Sequence, residues 1–115
     1  MTFAELLAWQ WSDYPSKHRS RVNLAIHVVA VPLFMVGCLA AAVGLPRFWP
    51  LGIVSGLVAI VVSVGLEGIG HRLEREQPAP FAGFGDFAGR FFVEQWVTFP
   101  RFVLSGRFFQ NLAGG

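Results

Sequence analysis

The residues best suited to chemistry are three histidines, His18, His27 and His71, and a few acids near them in the sequence. His18 stands among Lys17, Arg19 and Arg21. An uncharged apolar run from Val22 to Pro46 comes next, and Asn23 and His27 already interrupt it. A second run, Phe48 to Leu66, gives way to Glu67, His71 and Glu74. Neutral imidazoles with carboxylates suit first-row metals, and such a set with open positions suits non-haem Fe(II). The same polar groups could instead act as hydrogen-bonding glue between apolar helices. An ionisable residue inside an apolar segment is costly and points to function by default. On pattern alone both readings stay open.

The elements that must position these residues can be read from hydropathy. The chain has 115 residues, 54% of them hydrophobic, and a mean hydropathy of +0.53. A helix rising about 1.5 Å per residue needs ~20 apolar residues to cross a bilayer core, and both runs are long enough. "GLPRFWPLG" between them holds two prolines, two glycines and a Trp, the composition of a tight interfacial turn. The expected fold is all-α, a single domain over 1–115: an integral membrane helical hairpin, with transmembrane helices over about 20–44 and 50–75. Flanking amphipathic, interfacial helices are expected over about 3–12 and 86–110.

The opening "MTFAELLAWQWSDYP" starts with an acid and has no cleavage-site pattern, so it reads as an amphipathic helix rather than a signal peptide. Phe3, Leu6, Leu7 and Trp11 lie along one side of it. In the tail, "EQPAPFAGFGD" reads as a loop with Asp86 as the N-cap of the tail helix, which is expected to break near Pro100. Glu94 and Gln95 read as the polar side of a surface helix. Cys38, alone in an apolar run, reads as a small buried hydrophobe.

Basic residues flank the hairpin at both outer ends, and only Arg47 lies in the turn. By the positive-inside rule both termini are cytoplasmic and the turn is outside. These charges border apolar segments instead of forming a soluble face, so no nucleic-acid partner is expected. Oligomerisation is left open.

A hairpin turning near Arg47 brings Asn23 level with His71, and His27 level with Glu67. Asn23 and His27, four apart, share one helical face. Glu67, His71 and Glu74 share another. His18, nine residues before His27, joins them only from the turn that enters the first helix, with Ser20 as N-cap. All three histidines then meet at the cytoplasmic end. Pro78 is expected to stop the second helix soon after Glu74.

These residues also carry a resemblance. "YPSKHRSRVNLAIHVVAVPL" resembles the opening of the 2-hydroxy-fatty-acid dioxygenase family: a Tyr, then His-x4-Asn-x3-His, a small residue and Pro, here Tyr14, His18, Asn23, His27 and Pro32. "GHRLEREQPAPF" resembles its second signature, through Gly70, His71, Glu74, Pro78 and Ala79. "FFVEQWVTFPRFVLSG" is similar to the tail of bacterial members. The resemblance spans about Leu7 to Gly106.

It implies an Fe(II)-dependent membrane enzyme that oxidises a long-chain 2-hydroxy fatty acid with O2 to the acid one carbon shorter, as in lipid α-oxidation. It implies His18, His27 and His71 as catalytic iron ligands, with Asn23 and Glu74 as ligands or supporting groups. The family's further ligand histidine has no counterpart here, which leaves Glu67 or Glu74 to complete the set. The substrate tail is expected among Leu33, Phe34, Leu57 and Val61, within the bilayer, and the carboxylate against Arg21 or Arg72. The location implied is a bacterial inner membrane. The rival readings are a haem protein with His27 and His71 as axial ligands, and a non-catalytic scaffold in which the polar cluster only sets helix pairing.

Overall fold

The computed structural model describes residues 1–114. Among them the chain is helical and has no strands: α1 (Phe3–Lys17), α2 (Arg21–Gly44), α3 (Pro50–Arg72), α4 (Phe84–Val93), a π-helical turn (Glu94–Thr98), α5 (Phe99–Leu104) and α6 (Arg107–Gly114). Two helices, α2 and α3, are long and apolar enough to cross a membrane.

α1 starts at a capping box. The Thr2 hydroxyl accepts from the Glu5 backbone, and the Glu5 carboxylate accepts from the Thr2 backbone. The helix runs to Lys17, five residues past the expected end near residue 12. Pro15 lies inside it, at the cost of the one bond its N–H would have given to the Trp11 carbonyl. The inner side, with Gln10 and Tyr14 buried, holds this extension against the rest of the chain. Ser20 caps α2 by accepting from the Asn23 N–H, so His18 and Arg19 occupy the link between α1 and α2.

α2 and α3 form the hairpin, and they meet through glycines. A Cβ on Gly37 would stand 2.8 Å from the Gly56 carbonyl, and one on Gly56 would stand 2.6 Å from the Gly37 carbonyl. The backbones approach this closely because neither carries a side chain, the usual device of apolar helix pairs. The outer surface is bare. Val28, Val36, Leu39, Leu51, Val54 and Leu57 are all exposed. Only 28% of the most apolar window in α2 and 22% of that in α3 is buried. A core helix of a water-soluble domain would be mostly covered, so this surface suits a hydrocarbon surrounding.

The turn is strained at its tip. Phe48 adopts a left-handed φ of 50° and projects almost fully exposed, while Trp49 folds back against Gly52. At the other end α3 stops at Arg72, three residues short of the expected position near residue 75. The Gln77 side chain donates to the His71 and Glu74 carbonyls there and satisfies the end of the helix. Glu74 therefore lies off the helix.

The tail also departs from expectation. α4 begins at Phe84, and Asp86 lies in its first turn, where it accepts from the Ala82 N–H and pairs with Arg90. No break occurs at Pro100. Proline has no N–H to donate, and its ring would clash with the carbonyl four residues back, that of Trp96. The chain widens into a π turn just before it, with the Phe99 N–H reaching back five residues to the Glu94 carbonyl. The break comes later, at Gly106, with φ 84°. Tyr14, Leu24, Val31, Phe99, Phe102 and Phe108 form one core, so α1 and the tail helices pack together over one end of α2.

The glycine seam yields a test. Gly56→Leu should separate α2 from α3, at a cost of about 1–3 kcal/mol for overpacking, and should lower the thermal midpoint in mild detergent measured by circular dichroism. Gly65→Leu is the control, because a Cβ there meets nothing within 4 Å. Its midpoint should equal or exceed that of the wild type.

Candidate functional site

The link after α1, the first turns of α2, the last turn of α3 and the π turn bring four side chains to one point. His18, His27, His71 and Glu94 each offer a ligand atom, and these atoms lie within 4.8 Å of one another. The imidazole centroids are 4.9 Å (His18–His27), 4.8 Å (His18–His71) and 5.3 Å (His27–His71) apart. Their planes cross at 89°, 82° and 90°, so the three rings meet like the faces at the corner of a box.

Backbone carbonyls set two of the tautomers. His18 Nδ1–H donates to the Tyr14 carbonyl at 2.8 Å, and His27 Nδ1–H donates to the Asn23 carbonyl at 3.0 Å. A carbonyl can only accept, so in the neutral ring both Nε2 atoms carry lone pairs directed inward. His27 Nε2 lies 3.1 Å from Glu67 Oε1 and 3.2 Å from Glu94 Oε2. His18 Nε2 lies 3.4 Å from Glu94 Oε2 without hydrogen-bond alignment. His18 Nε2, His71 Nδ1 and Glu67 Oε2 are buried with no hydrogen-bond partner. Each such atom costs about 1–3 kcal/mol. Unpaired nitrogen lone pairs and carboxylate oxygens converging on one point fit a metal cation, and the all-N/O donor set fits a first-row metal.

A second layer fixes these groups. The Tyr14 hydroxyl donates to Glu94 Oε2 at 2.7 Å, and its ring stacks on His18, centroids 3.6 Å apart and planes 14° off parallel. Gln95 Nε2 donates to Glu67 Oε1 at 3.0 Å. Burial acts to raise the Glu94 pKa, but the His18 and His27 imidazoles against it outweigh that and hold it well below the usual carboxylate range. Burial pushes the His18 imidazole below its ordinary value. Burial, then the Glu94 charge, pushes the Tyr14 phenol well up, so it stays a donor.

Of the residues singled out from the sequence, His18, His27 and His71 are together, and Glu67 is beside them. Asn23 and Glu74 pair with each other instead, at 2.6 Å. The Glu74 carboxylate also accepts from the Arg19 and Ser20 N–H groups, which turns it toward the α1–α2 link that carries His18. The Asn23 side chain presses on Gly70, where no Cβ would fit. The Asn111 amide completes the link by donating to the Pro15 and His18 carbonyls. Arg21 lies outside the site, donating to the Leu112 and Ala113 carbonyls.

Glu94 and Gln95 were not singled out, because they read as the wet side of a surface helix. They stand in "FFVEQWVTF", apolar on both flanks. That is the same signal that marks Asn23 and His27.

A cavity of ≈ 330 Å³ opens onto the cluster, with Tyr14, His18, Glu67, His71 and Glu94 at its floor. Trp9, Phe87 and Phe91 wall it on one side and Val64 and Gly68 on the other, and Lys17, Arg72 and Arg90 also line it. The expected tail path is not part of it. Leu57 and Val61 face outward, and Phe34 packs on Phe91 and Phe92.

A family model described as 2-hydroxy-palmitic acid dioxygenase Mpo1-like matches residues 4–100. The chain belongs to the Mpo1-like family. That match spans every residue of the cluster, from Tyr14 to Gln95, and leaves α6 outside. The description of the Mpo1-like family points to dioxygenase activity on 2-hydroxy fatty acids. No curated protein and no solved structure gives a significant match to the chain.

The cluster generates a metal-binding test. Protein purified in mild detergent and titrated with Co(II) should show a ligand-field spectrum that saturates at one ion per chain. His18→Ala, His27→Ala, His71→Ala and Glu94→Ala should each abolish it. Tyr14→Phe, which removes the hydroxyl from Glu94 and keeps the ring stacked on His18, should weaken it by roughly 10–100-fold. An unchanged spectrum in the Glu94 variant would remove that residue from the centre.

Proposed function

We propose that the chain is a membrane-embedded, Fe(II)-dependent dioxygenase that converts long-chain 2-hydroxy fatty acids to the acid one carbon shorter. The observation that carries this is the corner of three imidazoles and Glu94, of which His18, His71 and Glu94 line a cavity, in a member of the Mpo1-like family. The reaction balances without another reductant: a 2-hydroxy acid and O2 give the shortened acid, CO2 and water. The C1–C2 bond breaks, both carbons are oxidised, and every electron taken up by O2 comes from the substrate.

His18, His27, His71 and Glu94 would hold the iron, with Glu67 as a further carboxylate. Fe(II) would supply the redox chemistry that O2 needs and a Lewis acid for the 2-hydroxy carboxylate. The chain's own groups do the rest. The carbonyls of Tyr14 and Asn23 hold two imidazoles in the productive tautomer. The Tyr14 hydroxyl keeps Glu94 aimed inward. Trp9, Phe87 and Phe91 exclude water from one wall.

Arg72 is the best candidate for the substrate carboxylate. Of the three cations lining the cavity, Lys17 is paired with Asp13. Arg90 holds the carbonyls of Ala79 and Pro80 and the Asp86 carboxylate. Arg72, next to His71, is the one with no such partner among the described residues.

The haem alternative has no space in its favour. The third ring, His18, lies within 4.9 Å of both His27 and His71 and leaves no room for a macrocycle between them. The scaffold alternative leaves the unpaired nitrogens without a purpose.

The hairpin would span a bacterial inner membrane with both termini cytoplasmic and the Phe48 turn outside. In a Cys38→Ala background, Phe48→Cys and Gly114→Cys should label from opposite sides. Labelling of both from one side would overturn this topology.

Iron-replete membranes should consume 2-hydroxypalmitate with O2 and release pentadecanoate, and chelator should stop this. His18→Ala, His27→Ala and His71→Ala should abolish activity with the protein still in the membrane. Arg72→Ala should raise KM by roughly 10–100-fold, the loss of one charged hydrogen bond. Arg107→Ala, whose guanidinium rests on the Trp11 ring away from the cavity, should stay near wild type. No consumption of any 2-hydroxy acid, or full activity of His71→Ala, would sink the proposal.

A further inference from the structure

The hairpin glycines fall into two groups. Gly37, Gly44, Gly52, Gly56 and Gly70 each have a neighbour where a Cβ would go, so close packing explains them. Gly65 and Gly68 have nothing within 4 Å of that position. A glycine inside a helix is less stable there than alanine, and no tight contact offsets that cost at Gly68.

Gly68 differs from Gly65 in one respect: it lines the cavity. It sits on α3 between Val64, four residues before, and His71, three after, and both line the cavity too. One stripe of α3 therefore runs from the imidazole cluster over bare backbone to Val64. The next residue along that stripe, Val61, is exposed on the outer apolar surface of the hairpin. α3 packs chiefly on α2, so Phe87 and Phe91 on α4 stand across an open slot from this stripe. The slot has polar and cationic lining, Arg72 among it, and an apolar strip of Val64, Phe87 and Phe91, and its α3 stripe leads on to the exposed Val61.

We infer that Gly68 is the specificity-determining residue of this site: its missing side chain keeps open a slot that takes the unbranched acyl chain of the substrate, entering sideways from the bilayer. This rests on the proposed function and adds where the chain lies and which residue admits it. A methylene chain is narrow, has no polar groups to satisfy, and gains from contact with Val64, Phe87 and Phe91. A leucine at position 68 would occupy the same space. A bulkier residue there is cheap for the fold, because a Cβ meets nothing and leucine favours helix more than glycine does.

The test uses the full-length protein in lipid nanodiscs. Wild type, Gly68→Ala, Gly68→Leu and Gly65→Leu are loaded with Zn(II) for binding and with Fe(II) for turnover. Metal content and thermal midpoint should be at least those of wild type in all of them. Gly68→Leu should weaken binding of 2-hydroxypalmitate and raise its KM by tenfold or more, with Gly68→Ala between it and wild type. Gly65→Leu should match wild type. Binding of 2-hydroxybutyrate, which has the same head and almost no chain, should be unchanged throughout.

Wild-type affinity and KM for 2-hydroxypalmitate in Gly68→Leu would overturn the inference and leave the proposed function standing. So would an equal loss for both acids, or a loss of metal, since Gly68 would then act on the centre and not on the chain. If wild type itself neither binds nor consumes 2-hydroxypalmitate, the proposed function falls and this inference falls with it.

Discussion

The Glu94 carboxylate is the joint on which the structure depends. A buried carboxylate must be paired and hydrogen-bonded or it is strongly destabilising. Three separate segments meet at Glu94: the Tyr14 hydroxyl of α1 donates to it, the His27 ring of α2 lies 3.2 Å away, and the His18 ring of the link between them lies 3.4 Å away. Besides that carboxylate, α1 and the tail share apolar packing, the Gln10 contacts with Arg90 and Thr98, the Asn111 bond to the Pro15 carbonyl, and arginines stacked on Trp9 and Trp11. With it, the geometry of the histidine cluster and the tertiary fold rest on the same few contacts. Removing one partner of such a buried group typically costs about 3–5 kcal/mol. Stability and the arrangement of the cluster are therefore hard to alter separately at this point.

Two backbone features deliver that joint. The π turn, beside a proline that cannot continue an ordinary ladder, points Glu94 and Gln95 into the site together. The glycine seam of the hairpin lets α2 and α3 approach until His27 Nε2 is 3.1 Å from Glu67. Glu74 then closes the open end by gathering the Arg19 and Ser20 N–H groups and the Asn23 amide. None of these three devices touches the proposed substrate, yet each sets where an imidazole or a carboxylate stands.

Much of this was readable from residue type and period. The two uncharged runs declare α2 and α3, and antiparallel level-matching brings His27 to Glu67. The helical offset between His18 and His27 forces His18 into a link, where it is found. What escaped depends on contacts between distant segments. Glu94 looks like a surface acid until α1 supplies Tyr14. Glu74 looks like a ligand until the end of α3 turns it toward the α1–α2 link. Arg21 has the right charge and neighbourhood, but its partners are carbonyls of α6, which local pattern does not reveal. The slot was missed for a related reason: an absent side chain leaves no mark on a hydropathy pattern.

The Asn111 contacts carry a consequence for the order of assembly. His18 sits in a link too short to define its own geometry, and its backbone is tied by Glu74 on one side and by Asn111 on the other. A nascent chain that has completed only the hairpin owns all three imidazoles and Glu67, but it lacks Glu94 and the clamp on the His18 carbonyl. It holds a partial cluster with a loose arm. The finished geometry waits for the last helix, through contacts about 90 residues apart in the chain. The four-residue cluster is thus complete only at the end of synthesis, once the tail has docked on α1 and the link.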